Sequence, residues 1–279
     1  MFKEWRHVSG SRFYKYQGAG NDFILFEEVV DLSPVVISRL CHRRKGIGAD
    51  GVIVVDIESD GEARMRIFNA DGSEATMCGN GLRCVARRMV DRIETRGGEP
   101  VRDVVVACGG KRYRASLVDG EIAVGMGWPS LVEEGPFSGR YGYRIDAGAP
   151  HLICITDKIG IGGFSEKARG LRYHDRFAPE GVNVGFASFL AKDHIRLRMY
   201  EKGVEGETLA CGTGGTAVAF LAWRRYGVTR GIRVEFFSGE FLTFDVVGKD
   251  RSSYDIRMSG HAVRVFEGML SDVSFSRQG

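Results

Sequence analysis

Residues 74–89, EATMCGNGLRCVARRM, place a cysteine among glycines immediately before a helical pattern. Residues 207–222, ETLACGTGGTAVAFLA, repeat this arrangement around a second cysteine. In both stretches a glutamate lies four residues before the cysteine, and glycines follow it at the first and third positions. The two stretches therefore predict two copies of one structural unit.

Three further pairs of stretches match in the same order along the chain. They are GAGND (18–22) with GAPHL (148–152), ADGVIVV (49–55) with PEGVNVG (179–185), and RMRIFN (64–69) with RLRMYE (196–201). The offset between partners rises only from 130 to 132 residues, against 133 for the two cysteines. Because all four matches keep their order and spacing, the sequence predicts an internal duplication.

Each copy is expected to fold as strands around one principal helix. RMRIF and RLRMY alternate charged and apolar residues, which is typical of half-buried strands. After the first cysteine, apolar residues recur with helical spacing and leave Arg83, Arg87 and Arg88 on the solvent side. After the second, nearly every residue from 217 to 223 is apolar, which predicts a helix buried on all sides and wrapped by sheet. The predicted fold class is α+β, with two similar domains that are each a mixed, barrel-like sheet around a central helix.

The duplication also sets the expected domain boundaries. Residues 1–130 are expected to form the N-terminal domain and residues 131–264 the C-terminal domain. The C-terminal strand and tail, 265–279, are expected to pack back on the first domain. Residues 127–140, GWPSLVEEGPFSGR, are rich in Gly, Pro and Ser and are predicted to contain the linker.

The composition is that of an ordinary globular protein. Of 279 residues, 43% are hydrophobic and 27% charged, and the formal net charge of +3 gives no basis for nucleic-acid or membrane-surface binding. The first residues lack the apolar run of a signal peptide, and no stretch approaches about 18 uninterrupted apolar residues, so a cytoplasmic protein is expected. The six cysteines include no Cys-x-x-Cys pair, so we expect reduced thiols and no metal site.

Cys78 and Cys211 each precede a predicted helix. The unpaired N–H groups and the dipole at a helix N-terminus stabilise a thiolate and lower the pKa of a thiol. Neighbouring glycines allow main-chain N–H groups to bind an anion such as a carboxylate, and the residues concerned are Gly79, Asn80, Gly212 and Thr213. The alternative is that both cysteines are small buried apolar residues. Their occurrence in equivalent positions of a repeat favours reactive thiols.

Two thiols in equivalent positions are suited to proton exchange at a carbon. If one thiolate removes a proton from one face and the opposite thiol delivers a proton to the other, the carbon is inverted without redox change. The duplicated halves would then hold one sulfur on either side of a ligand in a cleft between the domains. The N–H groups at the two helix starts would hold the carboxylate of an amino acid as it gains enolate character, so no lysine-bound aldehyde cofactor is needed.

Five segments resemble the diaminopimelate epimerase family: GAGNDF, GIGADG, FNADGSEATMCGNGLRC, APEGVN and GETLACGTG. The resemblance runs from about Tyr14 to VFEGML at 265–270. It implies a cofactor-independent epimerisation between LL- and meso-diaminopimelate, in the supply of lysine and peptidoglycan precursors. It further implies a cytoplasmic homodimer in which Cys78 and Cys211 are the acid and the base.

The resemblance also implies the other site residues. His151 and Glu201 would be polar residues that support the chemistry, and the substrate contacts would be Asn21, Asn69, Asn183, Glu201 and the four residues at the helix starts. Lys202 stands where the family usually has arginine. Because lysine cannot make the bidentate contact of an arginine fork, we expect Lys202 to bind the distal carboxylate of the substrate as a point charge.

Other functions are compatible with the sequence. GIGADG, residues 46–51, has the Gly-x-Gly-x-x-Gly spacing of a dinucleotide-binding loop, but a predicted helix precedes it and a strand follows, the reverse of the Rossmann order. A cysteine hydrolase that pairs Cys78 or Cys211 with His151 leaves the second thiol unexplained. A related racemase of proline, histidine or another amino acid would use the same thiol pair. A duplicated scaffold that only binds an amino acid is the non-catalytic alternative.

Overall fold

The computed structural model describes residues 10–27, 32–97, 103–157, 159–160, 162–248 and 254–270. These residues fall into two compact units, one from Met1–Val124 with His261–Gly279 and the other from Gly125–Gly260. The predicted α+β fold with two similar units is confirmed. The chain passes between the units after Val124 and after Gly260, a few residues before the boundaries expected from the sequence. Residues 1–9 and 271–279 of the expected first domain lie outside the described residues.

The first unit begins with a strand hairpin and contains two helices. Its elements are β1 (Arg12–Gly18), β2 (Asn21–Phe26), α1 (Pro34–Cys41), β3 (Gly51–Ser59), β4 (Glu62–Asn69), β5 (Glu74–Ala75), α2 (Gly79–Thr95), β6 (Asp103–Cys108), β7 (Lys111–Val118) and β8 (Glu121–Gly125). The pairs β2–β3 and β4–β6 are parallel. The pairs β1–β2, β3–β4, β4–β5, β6–β7 and β7–β8 are antiparallel.

The second unit repeats this order of elements. It contains β9 (Ser130–Phe137), β10 (Arg140–Asp146), β11 (Pro150–Ile155), α3 (Phe164–Arg172), a 3₁₀ turn (Asp175–Phe177), β12 (Asn183–Phe189), β13 (His194–Glu201), β14 (Gly206–Thr208), α4 (Gly212–Tyr226), β15 (Ile232–Phe236), β16 (Phe241–Val247) and β17 (Asp255–Gly260). The parallel pairs are β11–β12 and β13–β15, at the positions equivalent to the parallel pairs of the first unit.

The last strand of the chain, β18 (Val263–Met269), belongs to the first unit. It pairs antiparallel with β1, just as β9 pairs antiparallel with β10 in the second unit. The C-terminal strand therefore gives the first unit the strand that β9 gives the second, and this explains why the chain returns to the first unit at its end.

The central helix of each unit packs against its own strands. Helix α2 contacts strands β1, β2, β3, β6, β7 and β18, and α4 contacts β11, β12, β13, β15, β16 and β17. The prediction that α4 is buried on all sides is confirmed by its run of buried residues from Gly214 to Ala222. A Cβ atom added at Gly215 would lie 2.4 Å from the ring of Phe244, so the glycine allows the helix to approach the sheet closely. No helix among the described residues is long and apolar enough to cross a membrane.

The arginines of α2 do not lie where the sequence pattern places them. Arg83 is fully buried and Arg88 is 7% exposed, so the expected solvent positions of these two residues are wrong. The Arg88 guanidinium lies 2.7 Å from a Glu27 carboxylate oxygen and 3.8 Å from the ring centroid of Tyr14. Periodicity places Arg83 and Arg88 beside the solvent face, but it cannot show that Asn80 accepts a hydrogen bond from Arg83 or that Arg88 pairs with Glu27.

The expected linker at 127–140 is also wrong for most of its length. Residues Ser130–Phe137 form β9, which pairs with β10 through a turn at Ser138 and Gly139. Both turn residues have positive φ, which accounts for the glycine. Pro136 lies near the end of β9, a position in which a strand tolerates the missing N–H.

The same ion pair precedes the central helix in both units. In the first, Arg66 on β4 binds Glu74 on β5 through two hydrogen bonds of 2.9 and 2.8 Å. In the second, Arg198 on β13 binds Glu207 on β14 through two hydrogen bonds of 2.6 and 2.7 Å. Each pair joins the short strand before a cysteine to the main sheet, so the glutamate that both cysteine motifs share is a structural residue.

The two ion pairs differ in burial and are therefore expected to differ in their contribution to stability. Arg198→Ala should lower the free energy of unfolding by about 3–5 kcal/mol, because it leaves the Glu207 carboxylate nearly buried without its partner. Arg66→Ala should lower it by less than about 1 kcal/mol, because both partners are about half exposed. Urea unfolding of the two variants measures the difference, and equal losses would contradict this interpretation.

Candidate active site

Each central helix begins with a cysteine cap. The Cys78 sulfur accepts a hydrogen bond from the N–H of Gly81 at 3.4 Å, and the Cys211 sulfur accepts one from Gly214 at 3.4 Å. Both cysteines have extended backbone and stand at the N-cap position, where Ser, Thr, Asp or Asn is usual. Helix geometry leaves the N–H groups of the first turn without partners in the helix, and they belong to Gly79, Asn80, Gly212 and Thr213. The four residues therefore lie where the sequence predicts anion-binding amides.

In the first unit the structure brings Asn21 and Asn80 together beside Cys78. The Asn21 Oδ1 atom is 3.8 Å from the Cys78 sulfur and 3.5 Å from Nδ2 of Asn80. The Asn21 Nδ2 atom donates to Asp50 at 2.9 Å. Asn21 begins β2 and Asn80 lies in the first turn of α2, so the start of one strand and the start of the helix hold the two amides against the thiol.

A charged network fixes Asp50 on the other side of Asn21. Arg43 forms ion pairs with Asp22 at 2.8 Å and with Asp50 at 2.7 Å, and Lys15 forms one with Asp22 at 2.7 Å. Burial alone would raise the pKa of Asp22, but the hydrogen bonds from Arg43 and Lys15 hold that pKa well below its usual range. Asp22 therefore stays ionised and fixes Arg43, which in turn orients the Asp50 carboxylate.

Asn69 occupies a different environment from Asn21. It ends β4 and is exposed, and its Nδ2 atom donates to the Ser73 hydroxyl at 2.9 Å. Its backbone closes the same turn, with the Asn69 N–H donating to Ser73 and the Asn69 carbonyl accepting from Gly72. The side chain thus holds the turn before Cys78, and its contact with a substrate stays a prediction.

In the second unit a buried carboxylate lies against Cys211. Glu201 ends β13, accepts a hydrogen bond from the Thr208 hydroxyl at 2.5 Å and is hydrogen-bonded to the Cys211 thiol. The Thr213 hydroxyl lies 3.5 Å from the Cys211 sulfur. Burial raises the pKa of Glu201. Burial and, after it, the charge of Glu201 raise the pKa of Cys211 well above its ordinary value, opposite to the lowering that its position at a helix start leads us to expect.

His151 is a fully buried histidine on β11. Neither ring nitrogen has a hydrogen-bond partner within the part of the chain that the structure describes. Burial lowers the pKa of His151 to about 3, so the ring is neutral near pH 7 and offers one donor and one acceptor. In the repeat, His151 stands at the position of Asn21, because the matching segments there are 130 residues apart.

Asn183 and Lys202 are joined through the backbone. The Asn183 side chain is 7% exposed and its Oδ1 atom accepts a hydrogen bond from the N–H of Lys202 at 2.8 Å. The Lys202 residue itself is exposed, directly after β13. Asn183 therefore fixes the backbone from which the Lys202 side chain extends.

The remaining cysteines have different surroundings. Cys41, Cys84, Cys108 and Cys154 are buried, and burial raises their pKa values to about 11, about 12, about 11 and about 11. None of the six cysteines, all of which lie in the described part of the chain, forms a disulfide. Among the described residues there is no cluster of three or more His, Cys, Asp or Glu side chains that could hold a metal ion.

Sequence reasoning missed three residues that hold this site. Asp50 orients Asn21, Thr208 donates to Glu201, and Arg83 donates to Asn80. A partial signal existed for Thr208, since it lies inside the second cysteine motif. Asp50 lies inside GIGADG, one of the segments that resemble the family, but the resemblance assigned no role to its aspartate. Arg83 gave no separate signal, because the helical pattern assigned it to solvent.

Comparison with known proteins places these features in a family. The family model described as diaminopimelate epimerase matches residues 13–132 and 143–265. The diaminopimelate epimerase of Archaeoglobus fulgidus is 36% identical over 287 residues, which cover 92% of this chain and 95% of that protein. The enzyme of the same name from Methanocella arvoryzae is 36% identical over 285 residues, covering 95% of this chain and 98% of the relative.

Solved structures show the same fold at much lower identity. A probable proline racemase from Agrobacterium radiobacter K84 superposes with a TM-score of 0.70 at 14% identity, covering 96% of this chain and 94% of that one. A phenazine biosynthesis protein of the PhzF family from Bacillus anthracis gives a TM-score of 0.68 at 14% identity, with coverage of 93% and 98%. The fold is thus shared among several proteins. The two stretches that the family model matches contain both cysteine caps. On the basis of that match, the chain belongs to the diaminopimelate epimerase family.

Proposed function

We propose that the chain interconverts LL- and meso-diaminopimelate by cofactor-independent proton transfer at one α-carbon, with Cys78 and Cys211 as the two acid–base groups. The observation that carries the proposal is the repeated cysteine cap, which gives each unit a thiol at the start of its central helix. Membership of the family supports diaminopimelate as the substrate and the supply of lysine and peptidoglycan precursors as the metabolic role.

The proposed reaction balances without electron transfer. One thiolate takes the α-proton and becomes a thiol, while the electron pair of the broken C–H bond moves toward the carboxylate. The other thiol then gives its proton to the opposite face of the carbon and becomes a thiolate. The substrate is neither oxidised nor reduced, and the exchanged proton is the only atom that differs between substrate and product.

The helix starts supply the stabilisation that the intermediate needs. A carboxylate that takes on enolate character carries more charge on its oxygens, and first-turn N–H groups are fixed donors for such charge. One well-placed donor of this kind contributes roughly 2.7–4 kcal/mol to the stability of a comparable transition state. In the proposal these donors are the main-chain N–H groups of Gly79, Asn80, Gly212 and Thr213.

Glu201 and His151 support the chemistry of the second thiol and the substrate. Glu201 is hydrogen-bonded to the Cys211 thiol, and it takes the thiol proton when Cys211 acts as the base. His151, neutral and without a partner among the described residues, binds a polar group of the substrate through its donor and its acceptor. Asn21, Asn69, Asn183 and Lys202 complete the proposed substrate contacts.

The homodimer and the cytoplasmic location that the sequence leads us to expect belong to the same proposal. Strand β18 exposes apolar side chains, with Val265 at 55%, Phe266 at 46% and Met269 at 67% exposure. An apolar strand surface of this kind is one that a second copy of the chain could cover.

A substrate panel tests the proposed function directly. In D₂O, without added cofactor, we expect deuterium to enter the α-position of diaminopimelate together with epimerisation, and no exchange in proline, histidine or glutamate. Mass spectrometry and chiral chromatography measure the two events. Exchange confined to proline or histidine would identify a related racemase instead, and no exchange in any amino acid would support a binding protein.

Removal of either proposed acid–base group should abolish turnover. Cys78→Ala and Cys211→Ala should each lower kcat for epimerisation by at least about 10²–10⁴-fold, because a positioned proton-transfer group contributes that much. Cys84→Ala is the matched control, since Cys84 is fully buried in α2, and it should cost only ~1 kcal/mol of stability. A Cys211→Ala variant with full turnover would remove the two-thiol scheme.

Lys202 should determine affinity for the distal carboxylate. Lys202→Ala should raise KM for diaminopimelate about tenfold, because a hydrogen bond to a charged group contributes ~1.5 kcal/mol, while kcat changes little. Lys192→Ala, which removes an exposed lysine just before β13, serves as the control and should leave both constants unchanged. An unchanged KM for Lys202→Ala would show that this residue does not bind the substrate.

A further inference from the structure

Arg83 is a fully buried cation that lies against the start of its own helix. It has 0% exposure in the fifth residue of α2, and its Nη2 atom donates to Asn80 Oδ1 at 3.0 Å. A buried charge is expensive unless other groups compensate for it, and apolar residues of similar volume often stabilise a fold as well or better. The contact with Asn80 points to a role in the site at the start of the helix.

The hydrogen bonds around Arg83 fix two amides in sequence. A guanidinium can only donate, so Asn80 turns its oxygen toward Arg83 and its Nδ2 toward Asn21 Oδ1, 3.5 Å away. An ionised carboxylate can only accept, so Asn21 turns its Nδ2 toward Asp50, 2.9 Å away, and its oxygen toward Asn80 and Cys78. We call Arg83, Asn80, Asn21 and Asp50 the amide relay. Its three hydrogen bonds all run in one direction, from the cation to the anion.

We propose that Arg83 is a positioning residue for Cys78, which orients the amides of Asn80 and Asn21 and places a positive charge near the Cys78 sulfur. The relay presents the Asn21 oxygen to the thiol at 3.8 Å, so the thiol has an acceptor when it is protonated. The nearby cation favours the same sulfur when it is ionised. In this proposal Arg83 does not contact the substrate. The expected changes in turnover rest on the proposed function, whereas the expected change in the ionisation of Cys78 does not.

The charge of Arg83 acts on Cys78 as well as on its own helix. Burial lowers the pKa of the Arg83 guanidinium, and the negative charges of ionised Cys84, ionised Cys78 and Glu121 oppose this. Electrostatic interaction is mutual, so a cation that is favoured by the Cys78 thiolate also favours that thiolate. Loss of the guanidinium charge should therefore raise the pH at which Cys78 ionises.

The duplication shows that the fold does not require an arginine at this position. With the 133-residue offset of the cysteines, the residue of α4 equivalent to Arg83 is Thr216. Thr216 is fully buried too, and its hydroxyl donates to the Gly212 carbonyl at 2.8 Å. The second unit therefore builds the same capped helix with a small neutral side chain. In the first unit the arginine at this position donates to Asn80, which lies next to Cys78 in the first turn.

Three full-length variants separate a positioning role from a packing role. Arg83→Met removes the hydrogen-bond donors and the charge. Arg83→Lys keeps the positive charge but replaces the planar guanidinium with an ammonium group. Arg88→Met is the matched control. Arg88 is a second buried arginine of α2, and it pairs with Glu27 and Tyr14 instead of Asn80. The measurements are kcat and KM for diaminopimelate, melting temperature, and the pH dependence of iodoacetamide alkylation of the Cys78 peptide by mass spectrometry.

The positioning role predicts a specific pattern across these measurements. Arg83→Met should lower kcat about 10–100-fold with KM within about threefold, since a misplaced supporting group affects the reaction geometry more than binding. Its alkylation midpoint at Cys78 should rise by about one pH unit. Arg83→Lys should keep the wild-type midpoint and recover part of kcat. Arg88→Met should lower the melting temperature and leave kcat and the midpoint unchanged.

Two results would overturn the proposal. One is a wild-type kcat and a wild-type alkylation midpoint in Arg83→Met; the other is an equal loss of kcat in Arg83→Met and Arg88→Met with unchanged midpoints. If Arg83→Met does not fold, Arg83→Lys decides, because a wild-type kcat in that variant would show that the guanidinium geometry is unimportant. If the wild-type protein does not epimerise diaminopimelate, the proposed function fails, while the alkylation midpoints still decide the role of Arg83.

Discussion

The cysteine cap is the interaction on which the rest of the site depends. A sulfur that accepts the third amide of its helix fixes where the helix begins, and it also fixes where the sulfur points. Sulfur is a weak acceptor, so the cap adds little stability by itself. It leaves the first-turn amides of Gly79 and Gly212 available beside the thiol, because a helix cannot satisfy them internally. The proposed proton transfer and the proposed anion binding therefore both rest on one local geometry that occurs twice.

The duplication preserved this geometry and changed what surrounds it. The sheet order, the capped helix and the arginine–glutamate pair before each cysteine recur in both units. The polar residues at equivalent positions differ: Asn21 corresponds to His151, Asn69 to Glu201 and Arg83 to Thr216. The elements that form the helix and attach it to the sheet were kept, whereas the groups that face each sulfur diverged. The two units therefore share the elements around each cysteine and differ in the polar residues beside it.

The sequence predicted what depends on local order and failed where burial of polar groups decided the outcome. The repeat, the α+β class and the buried helix α4 followed from spacing and periodicity, because these patterns report directly on packing. The linker at 127–140 was wrong because glycine and proline also occur in a hairpin strand. The prediction that Arg83 faces solvent was wrong because a helical pattern reports only the direction in which a side chain leaves the helix axis. It does not reveal that Asn80, in the first turn of the same helix, accepts a hydrogen bond from Arg83. Asp50 and Thr208 act through contacts with residues distant in sequence or across a turn, and no spacing rule identifies such contacts.

The divergence around the two thiols has a chemical consequence that an exact repeat could not provide. Epimerisation by two sulfurs requires one thiolate and one thiol at the same time. Two thiols in identical surroundings would ionise over the same pH range. Only the repulsion between the two thiolates would then keep one of them protonated. Here Cys211 lies against the buried carboxylate of Glu201, which together with burial raises its pKa, whereas Cys78 lies near the buried guanidinium of Arg83. The charged groups that act on the two sulfurs thus differ in sign, and under the proposal for Arg83 they favour ionisation of Cys78 over ionisation of Cys211. Under the two proposals, the asymmetry that the reaction requires resides in residues that do not themselves exchange the proton.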